Sequence, residues 1–488
     1  MMTGEEYRQS LRRLRRTIYA LGERVEDVTG HPLFQDHINT AALTYDLAHD
    51  PQHQALLTAT SHLTGKRINR FTHIQQDTED LMKKVQMLRL LGQLTGSCFQ
   101  RCAGLDALNA VYNATYQVDQ KYGTDYHRRA RDYVARAQDA DLMCEAGMTD
   151  PKGDRSLRPS QQADPDLYLH VVERRKDGIV VRGAKLHQTG AVNSHEIIVM
   201  PTTALREDDK DYAVAFAVPS DTPGLVFIFG RQTNDQRKLE GELDQGNARY
   251  GYTGGEAMVV FNDVFVPWER VFLCGEHDFA LVMLEYFSCY HRSNYGACKA
   301  GVADVLIGAT ALLAEYNGVG ANPIVRDKLV EMVHLAETLY ACANGASATG
   351  RATPAGGWWV NPIMANVTKL NTARFTYDLL RLAHDVSGGL VATVPSERDL
   401  RHPEIGKYLE KYLKGAGGVP AEHRIRLFRL VEAMSSCPVM LEAVHGAGSP
   451  ATQRIPMLRQ AELDKKVAMA RELAGIPAPA PGEAKARG

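Results

Sequence analysis

Residues 166–190 read "DLYLHVVERRKDGIVVRGAKLHQTG". Apolar and polar residues alternate on both sides of Lys176, Asp177 and Gly178, which is typical of two strands joined by a tight turn. We therefore predict a β-hairpin here. Four more segments with a period of two follow, bounded by Gly, Pro and Asp: "HEIIVMP" (195–201), "YAVAFAVP" (212–219), "GLVFIFG" (224–230) and "AMVVFNDVFVP" (257–267). Together they predict a middle β domain of six or more strands.

On either side of this β region the apolar residues recur at intervals of three and four, which indicates helices. Examples are residues 81–118 before it, and residues 322–348 and 422–434 after it. We predict an α+β fold with a helical N-terminal domain (1–146), a middle β-barrel (147–275) and a C-terminal bundle of four or more long helices (276–475). The tail, 476–488, is rich in Pro, Ala and Gly and is predicted to be disordered. This order of domains resembles that of the acyl-CoA dehydrogenases, in which flavin lies between barrel and bundle.

The charge balance excludes some classes of partner. The 488 residues include 56 basic and 58 acidic side chains. This near-neutral balance does not predict binding to nucleic acid or to an anionic membrane. Small molecules and copies of the chain are the expected partners. The N-terminus lacks the apolar core of a signal peptide, and no uninterrupted apolar run approaches the length of a membrane span. We therefore expect a cytoplasmic protein.

The eight cysteines are scattered along a long chain, which argues against a disulfide framework. Reduced thiols then serve either as core residues or as metal ligands. The cysteines are Cys98, Cys102, Cys144, Cys274, Cys289, Cys298, Cys342 and Cys437.

Two pairs among these residues have a spacing that suits a shared inorganic centre. Cys98 and Cys102 are four apart in a helical pattern, so they are predicted on one helix face about 6 Å apart along the axis. His291 and Cys298 are seven apart, which gives nearly the same direction but about 10 Å of rise. One zinc ion could hardly bridge that distance, whereas a larger cluster bound by three thiolates and one imidazole could. Spacing alone leaves open that the cysteines are core residues and that His291 is an ordinary hydrogen-bonded histidine.

Six segments across the chain resemble one family in the expected order. They are similar to the cluster-bearing dehydratase branch of the 4-hydroxyphenylacetate 3-hydroxylase flavoprotein family. In that branch, two cysteines four apart and a histidine and cysteine seven apart bind a [4Fe-4S] cluster; the hydroxylase branch lacks this set. The resemblance thus implies that Cys98, Cys102, His291 and Cys298 are cluster ligands. The segments are "TGSCFQRCAG" (95–104), "MTDPKGDRSLRPSQQ" (148–162), 172–201, "GGEAMVVFNDVFVP" (254–267), "YHRSNYGACKAG" (290–301) and "HGAGSPATQRI" (445–455).

The same resemblance implies bound FAD. Lys152 and Arg155 are expected near its pyrophosphate, since fixed cations suit phosphate oxygens. Without the resemblance, residues 148–156 would be interpreted as a charged turn. Gly388 and Gly389 would be interpreted as residues that break a helix. The bundle segment that contains these glycines reaches the flavin in the family, often across a subunit boundary. The implied flavin residues are Met148, Lys152, Asp154, Arg155, Ser156, His187, Gln188, Thr189, Gly388 and Gly389.

Five side chains are implied in catalysis by the family. Tyr295 lies one turn from His291, and Lys299 follows Cys298; both are candidates to donate protons to a departing hydroxyl. Glu256 and Glu442 match glutamates that line the family's active site. Glu442 lies in the apolar run "CPVMLEAV", where burial would raise its pKa. His291 is the leading candidate for the base that removes the C3 proton, with Glu256 or Glu442 as competitors.

The implied reaction is a radical dehydration of 4-hydroxybutyryl-CoA to crotonyl-CoA by a homotetramer, with isomerisation of vinylacetyl-CoA as a second activity. The thioester does not activate the C3 hydrogen, so ordinary β-elimination cannot occur, and flavin with a Lewis-acidic iron would provide another route. Two alternatives stay open: an aromatic hydroxylase with structural cysteines, and a non-catalytic flavin-fold binding protein. CoA recognition has no clear local signature.

Overall fold

The structure, a computed structural model, describes residues 1–232, 235, 237, 240–251, 255–436 and 438–477, with only the backbone of 439–441. Cys437 and the predicted disordered tail from residue 478 onward lie outside these residues. The helices are α1 Gly4–Arg13, α2 Pro32–Asp46, α3 Gln54–Leu57, α4 Thr78–Thr95, α5 Cys102–Tyr122, α6 Tyr126–Asp139, α7 Ala280–Tyr316, α8 Pro323–Ala348, α9 Pro362–Ser387, α10 Glu397–Leu400, α11 Gly406–Tyr412, α12 Ala421–Ser436, α13 Pro438–His445, α14 Pro450–Gln460 and α15 Leu463–Leu473. The strands are β1 Thr17–Ala20, β2 Glu23–Val25, β3 Thr58–Thr60, β4 Arg67–Asn69, β5 Cys144–Gly147, β6 His170–Arg174, β7 Gly178–Thr189, β8 Glu196–Val199, β9 Val214–Pro219, β10 Leu225–Phe229, β11 Glu256–Pro267, β12 Val271–Cys274, β13 Arg351–Ala352 and β14 Trp358–Trp359.

The predicted hairpin is confirmed. Strands β6 and β7 pair antiparallel, with Arg174 opposite Ile179 and the turn between them at the predicted residues. The four later segments form β8, β9, β10 and β11. Burial alternates along β10 and β11, as a period of two predicts. Strands β8 and β9 are buried on both faces, and their short apolar runs bounded by turn residues predict them.

Besides the two-stranded sheets β3-β4 and β13-β14, the strands form two open sheets. The predicted barrel is wrong for the part of the chain that the structure describes. One sheet has the order β2-β1-β10-β11-β7-β6 and the other β12-β9-β8-β5. Parallel pairing of β1 with β10 and of β5 with β8 extends an edge of each sheet instead of closing it. The sheets share an apolar core, in which the rings of Phe216 and Phe261 lie 5.9 Å apart.

The N-terminal region is mainly helical, as predicted, but the strands β1 to β4 interrupt it. Strands of three or four residues are too short to produce a readable alternation. Only the tertiary pairing of β1 with β10 identifies Thr17–Ala20 as part of the sheet.

The C-terminal region contains the predicted long helices α7, α8, α9 and α12. Helix α7 has 37 residues and packs against α4, α5, α8, α9 and α12. The segment His277–Tyr316 is long and apolar enough to cross a membrane, but 61% of its most apolar window is buried by the protein. Burial of this kind is expected of the central helix of a bundle.

Candidate active site

Successive turns of α7 place His291, Tyr295 and Lys299 near one another. The ring of Tyr295 meets that of His291 edge to face at 5.4 Å, and the Lys299 ammonium lies 5.7 Å from the Tyr295 ring centroid. Cys298 lies on the same helix, with its thiol 4.0 Å from the carbonyl oxygen of Tyr295. The residues predicted from the 290–301 segment therefore form one side of a common site.

Cys98 and Cys102 do not share a helix, so that prediction is wrong. Helix α4 ends at Thr95, where Gly96 caps it at φ +60°, and α5 begins only at Cys102. Gln100, between the two cysteines, also has a positive φ of 59°. The chain thus turns sharply between the helices, because left-handed residues end helical hydrogen bonding.

The three candidate cysteine ligands lie close together despite this turn. Burial raises the pKa of the Cys102 thiol well above its usual value, and the neighbouring Cys98 and Cys298 thiols add to the shift. Burial likewise raises the pKa of Cys98 and Cys298, and in both cases Lys299 opposes it. These thiols favour the neutral form in the protein alone, whereas a bound cationic metal favours thiolates.

Within the described ranges, no three His, Cys, Asp or Glu residues are close enough to hold a single metal ion. The donors suit a larger group better. Three thiols and one imidazole are the soft and borderline ligands that an iron–sulfur cluster takes. The residues present therefore fit a cluster by their chemistry.

Glu256 and Glu442 form a half-buried carboxyl pair beside these residues. Burial, followed by the Glu442 carboxyl, raises the pKa of Glu256 well above its usual value. The hydroxyl of Thr189 donates to Glu256 Oε1 at 2.8 Å. Burial also raises the pKa of Glu442, whose Oε1 has no hydrogen-bond partner in the part of the chain that the structure describes. Two carboxyls in contact cannot both ionise easily, which agrees with the direction of both shifts.

Helix α13, which carries Glu442, is held against α7 by a residue that sequence reasoning missed. The buried Lys369 ammonium donates to the carbonyl oxygens of Ala443 and Val444, and lies 4.3 Å from the Tyr295 ring centroid. Burial lowers the pKa of Lys369 to about 7, with Lys299 adding to the effect. No local pattern distinguishes this lysine from a solvated one.

Gln100 and Asp106 were also missed. Gln100 donates to the carbonyl oxygen of Gly255, next to Glu256, at 3.1 Å. Asp106 accepts a hydrogen bond from His291. A signal was present for Asp106, because it lies four residues after Cys102 and so one turn further along the helix.

Two of the predicted flavin segments lie side by side. The backbone N–H of Met148 donates to Gln188 Oε1 at 3.2 Å, and that of Leu186 donates to the Thr149 carbonyl oxygen at 2.6 Å. Lys152 and His187 have left-handed φ values of 72° and 56°, which L residues rarely adopt. Burial, then Lys152 and His445, lowers the pKa of His187. This places the end of α13 beside the segments.

The other predicted flavin residues are not all brought to this place. Asp154, Arg155 and Ser156 are exposed, and Asp154 Oδ1 accepts from the N–H and hydroxyl of Ser156 in a local turn. Gly388 and Gly389 end α9, where open space lies beside both. Gly389 begins a short helical turn that packs against α9 and α12.

Comparisons with known proteins identify the family of this chain. The N-terminal family model of 4-hydroxyphenylacetate 3-hydroxylase matches residues 3–273, and the C-terminal model matches residues 280–475. The 4-hydroxybutyryl-CoA dehydratase/vinylacetyl-CoA-Δ-isomerase of Clostridium aminobutyricum is 51% identical over 98% of this chain and 100% of its own length.

Solved structures extend the comparison. An oxygen-tolerant archaeal 4-hydroxybutyryl-CoA dehydratase from N. maritimus has a TM-score of 0.95 at 46% identity, over 98% of this chain and 95% of its own. The oxygenase component of 4-hydroxyphenylacetate 3-monooxygenase, complexed with FAD, has a TM-score of 0.85 at 27% identity, over 97% and 98%. A glutaryl-coenzyme A dehydrogenase at 13% identity has a TM-score of 0.51, over 83% and 82%, which shows a likeness of fold alone.

Proposed function

The chain belongs to the 4-hydroxyphenylacetate 3-hydroxylase family, and from this premise we propose that it dehydrates 4-hydroxybutyryl-CoA to crotonyl-CoA and isomerises vinylacetyl-CoA. The proposal includes FAD and a [4Fe-4S] cluster as cofactors. The observation that carries it is the convergence of Cys98, Cys102 and Cys298 beside the Glu256–Glu442 pair. The activity printed for the clostridial relative, at 51% identity over nearly the whole chain, supports the same reaction.

The cluster ligands are proposed to be the three thiols and the Nε2 atom of His291. When bound, the cluster supplies a Lewis acid for the substrate hydroxyl, and the flavin supplies one-electron chemistry that acidifies C3. Once it is no longer a ligand, Nε2 of His291 is our candidate for the atom that takes the C3 proton. Its position beside Tyr295 supports this role.

The acid and base groups of the site suit a dehydration. Burial and the neighbouring carboxyl raise the pKa of Glu256, so the Glu256–Glu442 pair can provide both an acid and a base within one contact. We assign removal of the C2 proton to this pair. Tyr295 and Lys299 are assigned as donors to the departing hydroxyl, since burial keeps the Tyr295 phenol protonated.

The flavin is proposed to lie against the Met148–Ser156 and His187–Thr189 segments. The FAD complex of the related oxygenase supports flavin in this fold. Lys152 is half-buried and burial lowers its pKa, whereas an approaching phosphate would favour its charged form. Asp154, Arg155 and Ser156 would line the outer, exposed part of the site, and Gly388 and Gly389 would serve the flavin of a neighbouring subunit.

The CoA portion of the substrate is assigned to a cavity of about 440 Å³ between α4, α7, α12 and residues 246–250. Its inner wall includes Leu94, which packs in the same apolar cluster as Cys102 and Cys298. Arg249 and Arg426 line the cavity and are candidate partners for the phosphates of CoA.

We further propose a cytoplasmic homotetramer with three domains, 1–146, 147–275 and 276–475. The aromatic hydroxylase remains the second candidate, because a Thermus thermophilus oxygenase component is 30% identical over 89% of this chain. The hydroxylase would contain FAD without iron and would consume oxygen. A non-catalytic protein would bind cofactors without turnover.

One anaerobic experiment distinguishes the dehydratase, the hydroxylase and the non-catalytic protein. The protein is purified without oxygen, analysed for iron, sulfide and FAD, and supplied with 4-hydroxybutyryl-CoA. We expect flavin, a full cluster and formation of crotonyl-CoA. Flavin without iron, together with oxygen consumption on a phenol, would contradict the proposal. A fully loaded protein that leaves every acyl-CoA unchanged would contradict it equally.

A further inference from the structure

Behind His291 lies a buried charged network that the proposed reaction does not use. The Asp106 carboxylate on α5 accepts hydrogen bonds from His291 Nδ1 at 2.9 Å and from Asn294 Nδ2 at 2.6 Å, both at Oδ2. Its Oδ1 accepts from the Lys84 ammonium on α4 at 3.2 Å. The side chains of Lys84 and Asp106 are each 1% exposed. Three helices therefore meet at one fully buried carboxylate.

This contact decides which nitrogen of His291 carries the proton. An ionised carboxylate only accepts hydrogen bonds, so Nδ1 must donate, and the neutral imidazole then presents an unprotonated Nε2. Lys84 forms an ion pair with Asp106, as burial of a charged group requires a partner.

The ring orientation is fixed as well. Phe287 stacks on the His291 ring at 5.4 Å, and Tyr295 meets it edge to face at 5.4 Å. With Nδ1 tied to Asp106, the ring has contacts on three sides. Nε2, on the opposite side of the imidazole from this hydrogen bond, remains as the atom that can bind a ligand.

We infer that Asp106, charge-balanced by Lys84, is a positioning residue that holds His291 in the tautomer and orientation that bind iron through Nε2. The inference rests on the proposed function, because it presupposes a cluster at the site. Histidine ligands of metals commonly donate their second N–H to a carboxylate, which fixes the tautomer and raises basicity. Asp106 would thus act on the iron without touching it.

A purely structural ion pair makes a different prediction. A buried pair replaced by apolar residues of similar volume often costs no stability. If Asp106 served only packing, the double variant Lys84→Met/Asp106→Leu would fold and would hold iron as the wild type does. If Asp106 positions His291, the same variant would fold but would hold the cluster weakly.

The test compares iron release from anaerobically reconstituted protein to a ferrous chelator. We expect at least tenfold faster release from Lys84→Met/Asp106→Leu, and a smaller increase from Asp106→Asn, which keeps a neutral acceptor. Loss of the histidine nitrogen hyperfine coupling from the spectrum of the reduced cluster should accompany it. The matched control is Asp244→Asn, which neutralises the buried partner of Arg429 (Nε–Oδ1 3.0 Å), away from His291. This control should keep the wild-type release rate.

Cooperative thermal unfolding and FAD content establish that each variant is folded. Release rates within twofold of the wild type from folded Asp106 variants, with an unchanged nitrogen coupling, would overturn the inference while leaving the proposed function intact. If the double variant does not fold, Asp106→Asn decides by the same two measurements. A wild-type protein that takes up no iron on reconstitution would overturn both proposals.

Discussion

The hydroxyl of Tyr295 on α7 lies directly against Gly446, the residue that follows α13, and leaves no room for a Cβ there. The Lys369 ammonium lies 4.3 Å from the same ring, while it binds the last carbonyl oxygens of α13. The end of the helix that carries Glu442 thus packs directly against Tyr295, which we assign as a proton donor. Any side chain at residue 446 must displace one of the two.

Replacing Gly446 tests this contact. Gly446→Ala should lower dehydration at least tenfold and cost about 1–3 kcal/mol of stability, because the added methyl overpacks against the Tyr295 hydroxyl. Turnover and urea unfolding measure the two effects. The control is Gly308→Ala on α7, where open space surrounds the position. That variant should be slightly more stable, since Ala favours a helix interior over Gly. Equal effects of both variants would refute the close packing.

Removing one member of the carboxyl pair should change the pH profile. Glu256→Gln should lower turnover by a factor of about 100 or more, because it removes an acid–base group from the site. Glu442→Gln should shift the acidic limb to lower pH, since the Glu442 carboxyl helps raise the pKa of Glu256 and the pair must be ionised to take the C2 proton. Turnover measured across pH checks both changes. Exposed Glu269→Gln serves as the control and should leave the profile unchanged. An unmoved acidic limb in Glu442→Gln would contradict the pairing.

Replacing each of two cysteines on α7 tests which one is a cluster ligand and which one is a core residue. Cys298→Ala should lose iron and dehydration but retain FAD, because Cys298 lies beside Cys98 and Cys102. Cys289→Ala should retain iron, since Cys289 is buried with apolar neighbours in the main core. Iron, sulfide and flavin analysis of anaerobically purified protein makes the comparison. Full iron content in folded Cys298→Ala would eliminate Cys298 as a ligand.

Asp80 on α4 offers a test of stability remote from the site. Burial tends to raise its pKa, but hydrogen bonds from His73 (2.7 Å) and Gln76 (3.0 Å), together with Arg70, hold the pKa at about 2. A carboxyl with a lowered folded pKa stabilises the protein above its unfolded pKa of 3.8, and that contribution disappears as pH falls through about 2.

We therefore expect Asp80→Asn to lower the free energy of unfolding by about 2 kcal/mol at pH 7. The difference from wild type should shrink between about pH 4 and pH 2. Urea unfolding at a series of pH values measures it. Asp132→Asn, on the exposed face of α6, should change stability by less than about 0.5 kcal/mol. A difference for Asp80→Asn that stays constant down to pH 2 would show that the carboxylate charge is not the cause.

Local pattern was sufficient for the hairpin of β6 and β7, the strands β8 to β11 and the long C-terminal helices. Periodicities of 2 and 3.6, and short apolar runs bounded by turn residues, predict these elements. The same reasoning placed His291, Tyr295 and Lys299 together, because residues four apart on a helix are neighbours. It failed for Cys98 and Cys102, where Gly96 and Gln100 turn the chain between two helices.

The amino-acid sequence by itself determined the order of helical and β regions and the residue types available for chemistry, since both depend on neighbours along the chain. The tertiary structure decided everything that depends on distant segments meeting. It separated the strands into two open sheets, joined β1 to β10, and brought Asp106 of α5 and Lys84 of α4 to His291 of α7. Partners of this kind are selected by packing and by the cost of burying an unpaired charge, and neither leaves a periodic signal.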